Sequence, residues 1–259
     1  MHGGPETERL QGLSLRALAP NMVTAMALCV GLSGFWFASQ ERWPAALAAI
    51  ALAAVLDGLD GRIARMVNGQ SRFGAELDSL SDVISFGVTP ALVAFLWTLQ
   101  DMPRFGWTIA LFFVLCQALR LARFNARIDT KDQPHKSAGF NTGVPAPAGA
   151  GMALLPLLIW VETDAPMVRD YWIAAPWMLF VALMMVSNVA TYSWTSIRIR
   201  PAYRFPALAI AGLYIALLIA EPWIGLILFI SCYSLTIPFS MISYARVKKR
   251  RAEAKAQSS

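Results

Sequence analysis

The sequence predicts an all-α, polytopic membrane protein, and three observations support this prediction. Of the 259 residues, 57% are hydrophobic and only 15% are charged, whereas an ordinary soluble domain has about 25% charged residues. The apolar residues are collected into long uncharged runs, and the basic residues are concentrated in alternate connections between those runs. This combination is typical of a bundle of transmembrane helices.

The uncharged runs predict about eight spans, although six or seven are also compatible with the pattern. A helix that crosses a bilayer needs about 20 apolar residues, and three of the runs are shorter than that. The second run is expected to continue as a helix beyond Asp57, and the fourth through Arg120 and Arg123. The runs cover residues 21–39, 43–56, 83–100, 105–119, 138–161, 171–197, 205–220 and 222–245.

The basic residues predict the orientation of these spans. All but three of the 22 Lys and Arg residues lie on one side of an eight-span topology, the exceptions being Arg42, Arg104 and Arg169. Basic loops stay in the cytoplasm, so both termini are expected there. The net charge of +6 then reflects topology and contact with anionic lipid headgroups. It gives no reason to expect nucleic-acid binding.

Four aspartates gather at the boundary between the second and third helices. Asp57 and Asp60 share one face of the second helix, because each helical residue turns by about 100°. Asp78 and Asp82 are four residues apart and therefore share a face of the third. Carboxylates at the ends of membrane helices are costly unless they are paired, hydrated or bound to metal. The convergence of four carboxylates therefore favours a binding site for two Mg²⁺ or Mn²⁺ ions.

The residues between the aspartates favour a phosphate-containing ligand. Gly61 and Ala64 leave room for a bulky group against the helix backbone, and Arg65 can reach a phosphate. The residues alone therefore predict a two-metal site for phosphoryl transfer that opens to the cytoplasm. Salt-bridged interfacial aspartates are the structural alternative. They would leave unexplained why four carboxylates lie on two matching faces.

The same stretch resembles the signature of the CDP-alcohol phosphatidyltransferase family. The signature reads D-x-x-D-G-x-x-A-R, then eight residues, then G-x-x-x-D-x-x-x-D, and every fixed position is present. Eight fixed residues over 26 positions make a specific match. The matching residues are Asp57, Asp60, Gly61, Ala64, Arg65, Gly74, Asp78 and Asp82.

Further segments resemble the phosphatidylserine synthase branch of this family. They are SDVISFGVTPA at 81–91, ALRLARFNAR at 118–127 and FNTGVPAPAGAG at 140–151. Val83 also stands where relatives that use glycerophosphate usually carry a lysine. The resemblance implies transfer of the phosphatidyl group from CDP-diacylglycerol to L-serine, with release of CMP. Inositol phosphate or glycerol phosphate as acceptor, or a divalent-cation transporter from a different class, are the alternatives.

The resemblance also implies a role for each site residue. Asp57 and Asp78 would bind both metals, Asp60 and Asp82 one each, and Asp82 would also be the base for the acceptor hydroxyl. The residues implied to bind the CDP-lipid are Asn21, Thr24, Gly61, Arg65 and Ser71.

The acceptor is expected near the end of the fourth predicted helix. Arg120 and Arg123 lie on one helix face, so a guanidinium there is suited to hold the serine carboxylate by a bidentate bond. Asn125 is suited to orient the serine amine. The alternative for the arginines is a positive-inside cluster that contacts lipid phosphates.

The resemblance divides the chain into four segments. Residues 1–20 are expected to form a cytoplasmic N-terminal segment, with an interfacial helix as one option, and residues 21–200 the catalytic core. Residues 201–245 would add two C-terminal transmembrane helices, and residues 246–259 a basic cytoplasmic tail. The expected protein is a homodimer in the inner membrane of a prokaryote, with its active site facing the cytoplasm.

Overall fold

The computed structural model describes residues 15–67, 71–126, 140–187, 190–192 and 203–257, and most of them are helical. The helices follow the apolar runs of the sequence, which confirms the helical class. Their bounds are α1 (Leu15–Ser39), α2 (Trp43–Met66), α3 (Arg72–Val83), α4 (Thr89–Trp97), α5 (Gly106–Ala126), α6 (Ala146–Ala153), α7 (Leu155–Thr163), α8 (Tyr171–Val186), α9 (Arg204–Ala220) and α10 (Pro222–Gln257).

Within this described part, five helical segments are long and apolar enough to cross a membrane: Leu18–Ser39, Trp43–Met66, Arg72–Trp97, Gly106–Ala126 and Pro222–Ser240. A sixth is possible if α6 and α7, which meet at an angle of 46°, together make one span. Helices α8 and α9 are apolar but shorter. The length and composition of these helices therefore support an integral membrane protein, while the count of eight spans stays a prediction.

One short ladder accompanies the helices without changing the helical class. Residues Phe140–Thr142 (β1) pair with Ala190–Tyr192 (β2) in antiparallel orientation. The run 138–161 was expected to hold one span, with Gly143, Pro145 and Pro147 breaking the entry to its helix. In the structure Gly143 has a φ of 75°, Pro145 has an extended backbone and α6 begins at Ala146. Glycine tolerates that positive φ without strain, so the chain is free to be extended before α6 begins.

Helices α1 and α2 form a tight antiparallel hairpin. The turn between them passes through Glu41, which has a φ of 58°. A Cβ added at Gly34 would lie 3.2 Å from the backbone oxygen of Ala46, and Ala46 and Ala53 are fully buried. Small residues at such contacts let membrane helices approach closely. This hairpin delivers the C-terminal end of α2 beside the N-terminal half of α1.

Helices α3 and α4 form one continuous span that is interrupted by a π-helix at Ile84–Val88. Pro90 follows directly in the first turn of α4 and has no N–H to donate to the carbonyl four residues earlier. A local change of hydrogen-bond pattern to i→i+5 accommodates the missing donor. The π-helix packs against α1, where a Cβ on Gly31 would lie 2.4 Å from Ser85 Oγ.

The C-terminal helices pack unequally. Helix α10 contacts α6, α7, α9 and β2, and its Tyr233 and Ile237 are buried in the core. Helix α9 has no buried residue and contacts the described part of the chain mainly through α10. The core therefore lies among α1 to α8 and one face of α10.

Candidate active site

Three of the predicted aspartates form a compact cluster. One carboxylate oxygen from each of Asp57, Asp60 and Asp78 lies within 4.8 Å of the other two. Asp57 and Asp60 come from the last turns of α2, and Asp78 comes from the middle of α3. Asp82 lies one turn further along α3 and has its carboxylate within hydrogen-bonding reach of Asp57. The structure thus brings the four predicted aspartates together, three directly and Asp82 through Asp57.

This cluster fits a divalent cation. Mg²⁺ binds carboxylate oxygens at about 2.1 Å, usually keeping some water ligands, so three oxygens this close can share one ion. Asp82 Oδ1 is buried without a hydrogen-bond partner in the described part of the chain. A buried carboxylate oxygen of that kind is stable only with a compensating charge or donor. The residues present therefore suit the metals that the resemblance implies.

Helix α1 positions one of the ligand carboxylates. The hydroxyl of Thr24, which is only 4% exposed, lies 2.6 Å from Asp60 Oδ2 and 3.1 Å from the carbonyl oxygen of Pro20. Its proton therefore holds Asp60, itself 5% exposed, in one orientation. Thr24 was predicted to bind the CDP-lipid, and the structure gives it this supporting contact as well.

A cavity of about 650 Å³ opens beside the aspartates between α1, α2 and α3. Phe124 of α5 forms part of its wall. All five residues that the resemblance assigned to the CDP-lipid line this cavity, together with two of the aspartates. They are Asn21, Thr24, Gly61, Arg65, Ser71, Asp60 and Asp78.

Two signature glycines around this cavity have different roles. A Cβ on Gly74 would lie 2.7 Å from Asn21 Oδ1, so glycine at this position leaves room for the Asn21 side chain of α1. The Gly74 N–H also donates to Ser71 Oγ at 3.0 Å, which caps the N-terminus of α3. A Cβ on Gly61 would meet no atom within 4 Å. Gly61 therefore leaves the cavity open, whereas Gly74 accommodates two side chains of the cavity wall.

Arg120 of α5 lies near Asp82. Its guanidinium is close enough to Asp82 and Tyr233 for direct electrostatic interaction. Nε and Nη1 of Arg120 are buried and make no hydrogen bond within the described residues. Asp82 Oδ1 is also buried without a hydrogen-bond partner in that part of the chain. Helix α10 comes near this arginine through Tyr233.

The other two residues predicted to bind the acceptor are engaged by the protein. Arg123 donates from Nη1 to the carbonyl of Val186 at 2.8 Å and from Nη2 to that of Ser187 at 3.2 Å, which caps the C-terminus of α8. Asn125 Nδ2 donates to Ser79 Oγ at 3.0 Å and ties α5 to α3. Binding of the acceptor by Arg123 and Asn125 stays a prediction.

One polar residue at this place escaped the sequence analysis. Gln117 lies one helical turn before Arg120 and is fully buried. It falls within the uncharged run 105–119, which was interpreted only as a membrane span. The available signal was a carboxamide in the middle of that span, because polar groups inside membrane helices often mark functional sites.

Comparison with known proteins agrees with the geometry. Residues 17–189 match the CDP-alcohol phosphatidyltransferase family, and residues 202–238 match a second model described as CDP-alcohol phosphatidyltransferase 2. The chain is 37% identical over 243 residues to the CDP-diacylglycerol–serine O-phosphatidyltransferase of Mycobacterium tuberculosis, covering 94% of this chain and 84% of that protein.

Relatives with the same name come from other lineages. The Helicobacter pylori protein is 30% identical over 216 residues, which cover 83% of this chain and 87% of that protein. The Methanocaldococcus jannaschii protein is 36% identical over 140 residues, which cover 54% of this chain and 60% of that protein. With its intact signature, its convergent aspartates and a family match over most of its length, the chain belongs to the CDP-alcohol phosphatidyltransferase family.

Proposed function

We propose that this protein transfers the phosphatidyl group of CDP-diacylglycerol to the hydroxyl of L-serine, giving phosphatidylserine and CMP. The observation that carries the proposal is the aspartate cluster, which borders the cavity and has Arg120 near Asp82, with two buried donors of that arginine unbonded among the described residues. The names of the relatives support serine as the acceptor.

In this reaction Asp57, Asp60, Asp78 and Asp82 hold two divalent cations, Mg²⁺ or Mn²⁺. When bound, these ions neutralise charge on the pyrophosphate of the substrate. The CDP-lipid occupies the cavity, with Arg65 close to its phosphates and Ser71 and Asn21 at its wall. Gly61 leaves the space that the substrate needs beside α2.

Asp82 removes the proton from the serine hydroxyl. The hydroxyl oxygen forms a bond to the phosphorus that carries diacylglycerol, the bond from that phosphorus to the bridging oxygen breaks, and CMP leaves with the electron pair. An aspartate is a weak base, so its contribution comes from its position beside the reacting hydroxyl, where proton transfer can accompany attack. Arg120 binds the serine carboxylate, because two of its donors are buried near Asp82 and make no hydrogen bond to any described residue.

The proposal includes location and assembly. The active site and both termini face the cytoplasm, as the distribution of basic residues favours. We also propose eight spans, a homodimer and a place in the inner membrane of a prokaryote, which the family resemblance supports. A cation transporter is less favoured, because the aspartates border a cavity of about 650 Å³ that Gly61 and Arg65 also line.

The test is an assay of purified protein with radiolabelled CDP-diacylglycerol and one of three acceptors: serine, inositol phosphate or glycerol phosphate. We expect labelled phosphatidylserine with Mg²⁺ or Mn²⁺ and no product in the presence of a chelator, because the aspartates need the cations. Preference for another acceptor would overturn serine as the substrate. Full activity in chelator would overturn the two-metal site.

A further inference from the structure

The carboxamide of Gln117 is an unmet hydrogen-bonding group in the core of the protein. Gln117 is 0% exposed, and neither Oε1 nor Nε2 has a hydrogen-bond partner in the described part of the chain. Burying such a group without a partner is costly, and native proteins rarely do so. A side chain of this kind is retained when something else, a ligand or a water molecule, completes its hydrogen bonds.

Gln117 lies on the face of α5 that packs against the π-helix after Asp82, since a Cβ on Gly87 would lie 2.9 Å from its Cγ. Arg120 lies on the same face of α5, one turn of about 5 Å nearer the end of the helix, and interacts with Asp82. The contact between α5 and the segment from α3 through the π-helix therefore holds three residues whose buried polar atoms have no hydrogen-bond partner among the described residues: Asp82, Arg120 and Gln117.

These groups match the functional groups of a small amino acid with a hydroxyl. The hydroxyl needs an acceptor, which Asp82 Oδ1 offers, and the carboxylate needs donors, which Arg120 Nε and Nη1 offer. The remaining group is the ammonium, which needs an acceptor without competing for the cations. Gln117 Oε1 is such an acceptor, since a carboxylate at this position would add a further negative charge beside Asp82.

We propose that Gln117 determines acceptor specificity by accepting a hydrogen bond from the ammonium group of the amino-acid acceptor. This inference rests on the proposed function and adds a residue that neither the family signature nor the acceptor prediction contains. It also explains why a fully buried carboxamide lies next to a close helix contact that only Gly87 permits. The competing interpretation is that Gln117 binds only an ordered water molecule.

The first test compares Gln117→Met with the control Leu119→Met. The control introduces the same residue into the same helix, at a position where the native side chain is 51% exposed. Methionine has a similar volume and no amide, so Gln117→Met removes an unmet polar group from the substrate-free protein. We expect its thermal unfolding temperature in detergent to be equal to or higher than that of wild type. The KM for serine should rise about tenfold, because a hydrogen bond to a charged group is lost. The KM for CDP-diacylglycerol should change by less than about twofold, and Leu119→Met should match wild type in all three measurements.

The second test identifies the group that Gln117 contacts. 3-Hydroxypropanoate has the hydroxyl and carboxylate of serine but no ammonium. Wild type should use it with a KM about tenfold above that for serine. Gln117→Met should use the two acceptors with nearly equal KM values, because the contact that separates them is gone. The wild-type half of this test remains decisive even if the variant fails to fold.

The outcomes separate the inference from the function on which it rests. Wild type that makes no phosphatidylserine would overturn the proposed function. Wild type that makes it but accepts 3-hydroxypropanoate as readily as serine would overturn only the role of Gln117. An unchanged KM for serine in Gln117→Met would also overturn the role of Gln117. An equal rise in the KM values for serine and CDP-diacylglycerol would overturn it as well. Those results would assign the carboxamide to a water molecule or to helix packing.

Discussion

The arginines at the two ends of the helix bundle are held in different ways: Arg169 at one end is exposed, whereas Arg120 at the other is partly buried. At the end away from the aspartates, Arg169 lies with its guanidinium 5.2 Å from the centre of the Trp160 ring and donates to the carbonyl of Trp97. Thr98 in turn donates to the carbonyl of Arg169. At the aspartate end, Asp82, Arg120 and Gln117 keep buried polar atoms without partners in the described chain.

This difference distinguishes an arginine that only connects parts of the fold from one that is proposed to bind a substrate. Arg169 is exposed, and its Nε and its backbone carbonyl connect the segment before α8 to the end of α4. Arg120 has two buried donors without a hydrogen-bond partner among the described residues, at the place where a substrate carboxylate is proposed to bind. Buried groups that the fold does not satisfy are the ones that a ligand can satisfy, so the ends should respond differently to substitution.

The largest effects are expected at the aspartates. Asp57→Asn removes a carboxylate assigned to both metals, so turnover should fall about a thousandfold or more, since metals contribute several kcal/mol. Asp82→Asn removes the base and should lower turnover about a hundredfold or more.

The two aspartate variants should also differ in substrate binding. Affinity for CDP-diacylglycerol should be retained better in Asp82→Asn than in Asp57→Asn, as equilibrium binding in detergent with Mn²⁺ will measure. Wild-type turnover in Asp82→Asn would remove the base from the mechanism.

A smaller and more selective effect is expected from the paired variants Arg120→Lys and Arg123→Lys. Lysine keeps the charge but loses the bidentate fork, so Arg120→Lys should raise the KM for serine about tenfold with little change for CDP-diacylglycerol. Arg123→Lys should mainly lower the thermal unfolding temperature, because Arg123 caps α8.

The same kinetic measurements test whether the two arginines have been assigned correctly. A selective rise in the serine KM of Arg123→Lys would restore Arg123 as the acceptor residue. An Arg120→Lys variant that changes both substrates equally would remove Arg120 from that role.

The smallest kinetic effect is expected at the far end of the bundle. Arg169→Leu loses the contact with the Trp160 ring and the bond to Trp97, so stability should fall by about 0.5–1 kcal/mol, as is usual for an exposed cation on a ring. Both KM values and turnover should match wild type, as the assay and thermal unfolding in detergent will show. A change in turnover would mean that the two ends are coupled, and the contrast drawn between them would not hold.

The aspartates could be predicted because their chemistry and their spacing are both local. Asp57 and Asp60, and likewise Asp78 and Asp82, share a helix face by helical periodicity alone, and the two helices are neighbours in the chain. The five cavity residues followed from the family resemblance. Each of these predictions needed only positions along a helix.

The acceptor side could not be predicted in the same way, because it depends on contacts between distant helices. The sequence gives Arg120 and Arg123 the same helix face, but only the packing of α8 separates a capping arginine from one with free donors. Gln117 has no motif, and its burial becomes visible only when the π-helix is placed against α5. The short ladder before α6 likewise depends on pairing with residues 190–192, which are distant in the chain.

The placement of the two halves of the site has a consequence for how such an enzyme can diversify. The aspartates and the helix that carries Arg65 come from one contiguous stretch, whereas the proposed acceptor residues come from α5, with Tyr233 of α10 alongside Arg120. Substitutions in those two helices can exchange one alcohol for another while leaving the cation ligands untouched. A library confined to the inward faces of α5 and α10 is therefore the natural starting point for selecting new headgroup products.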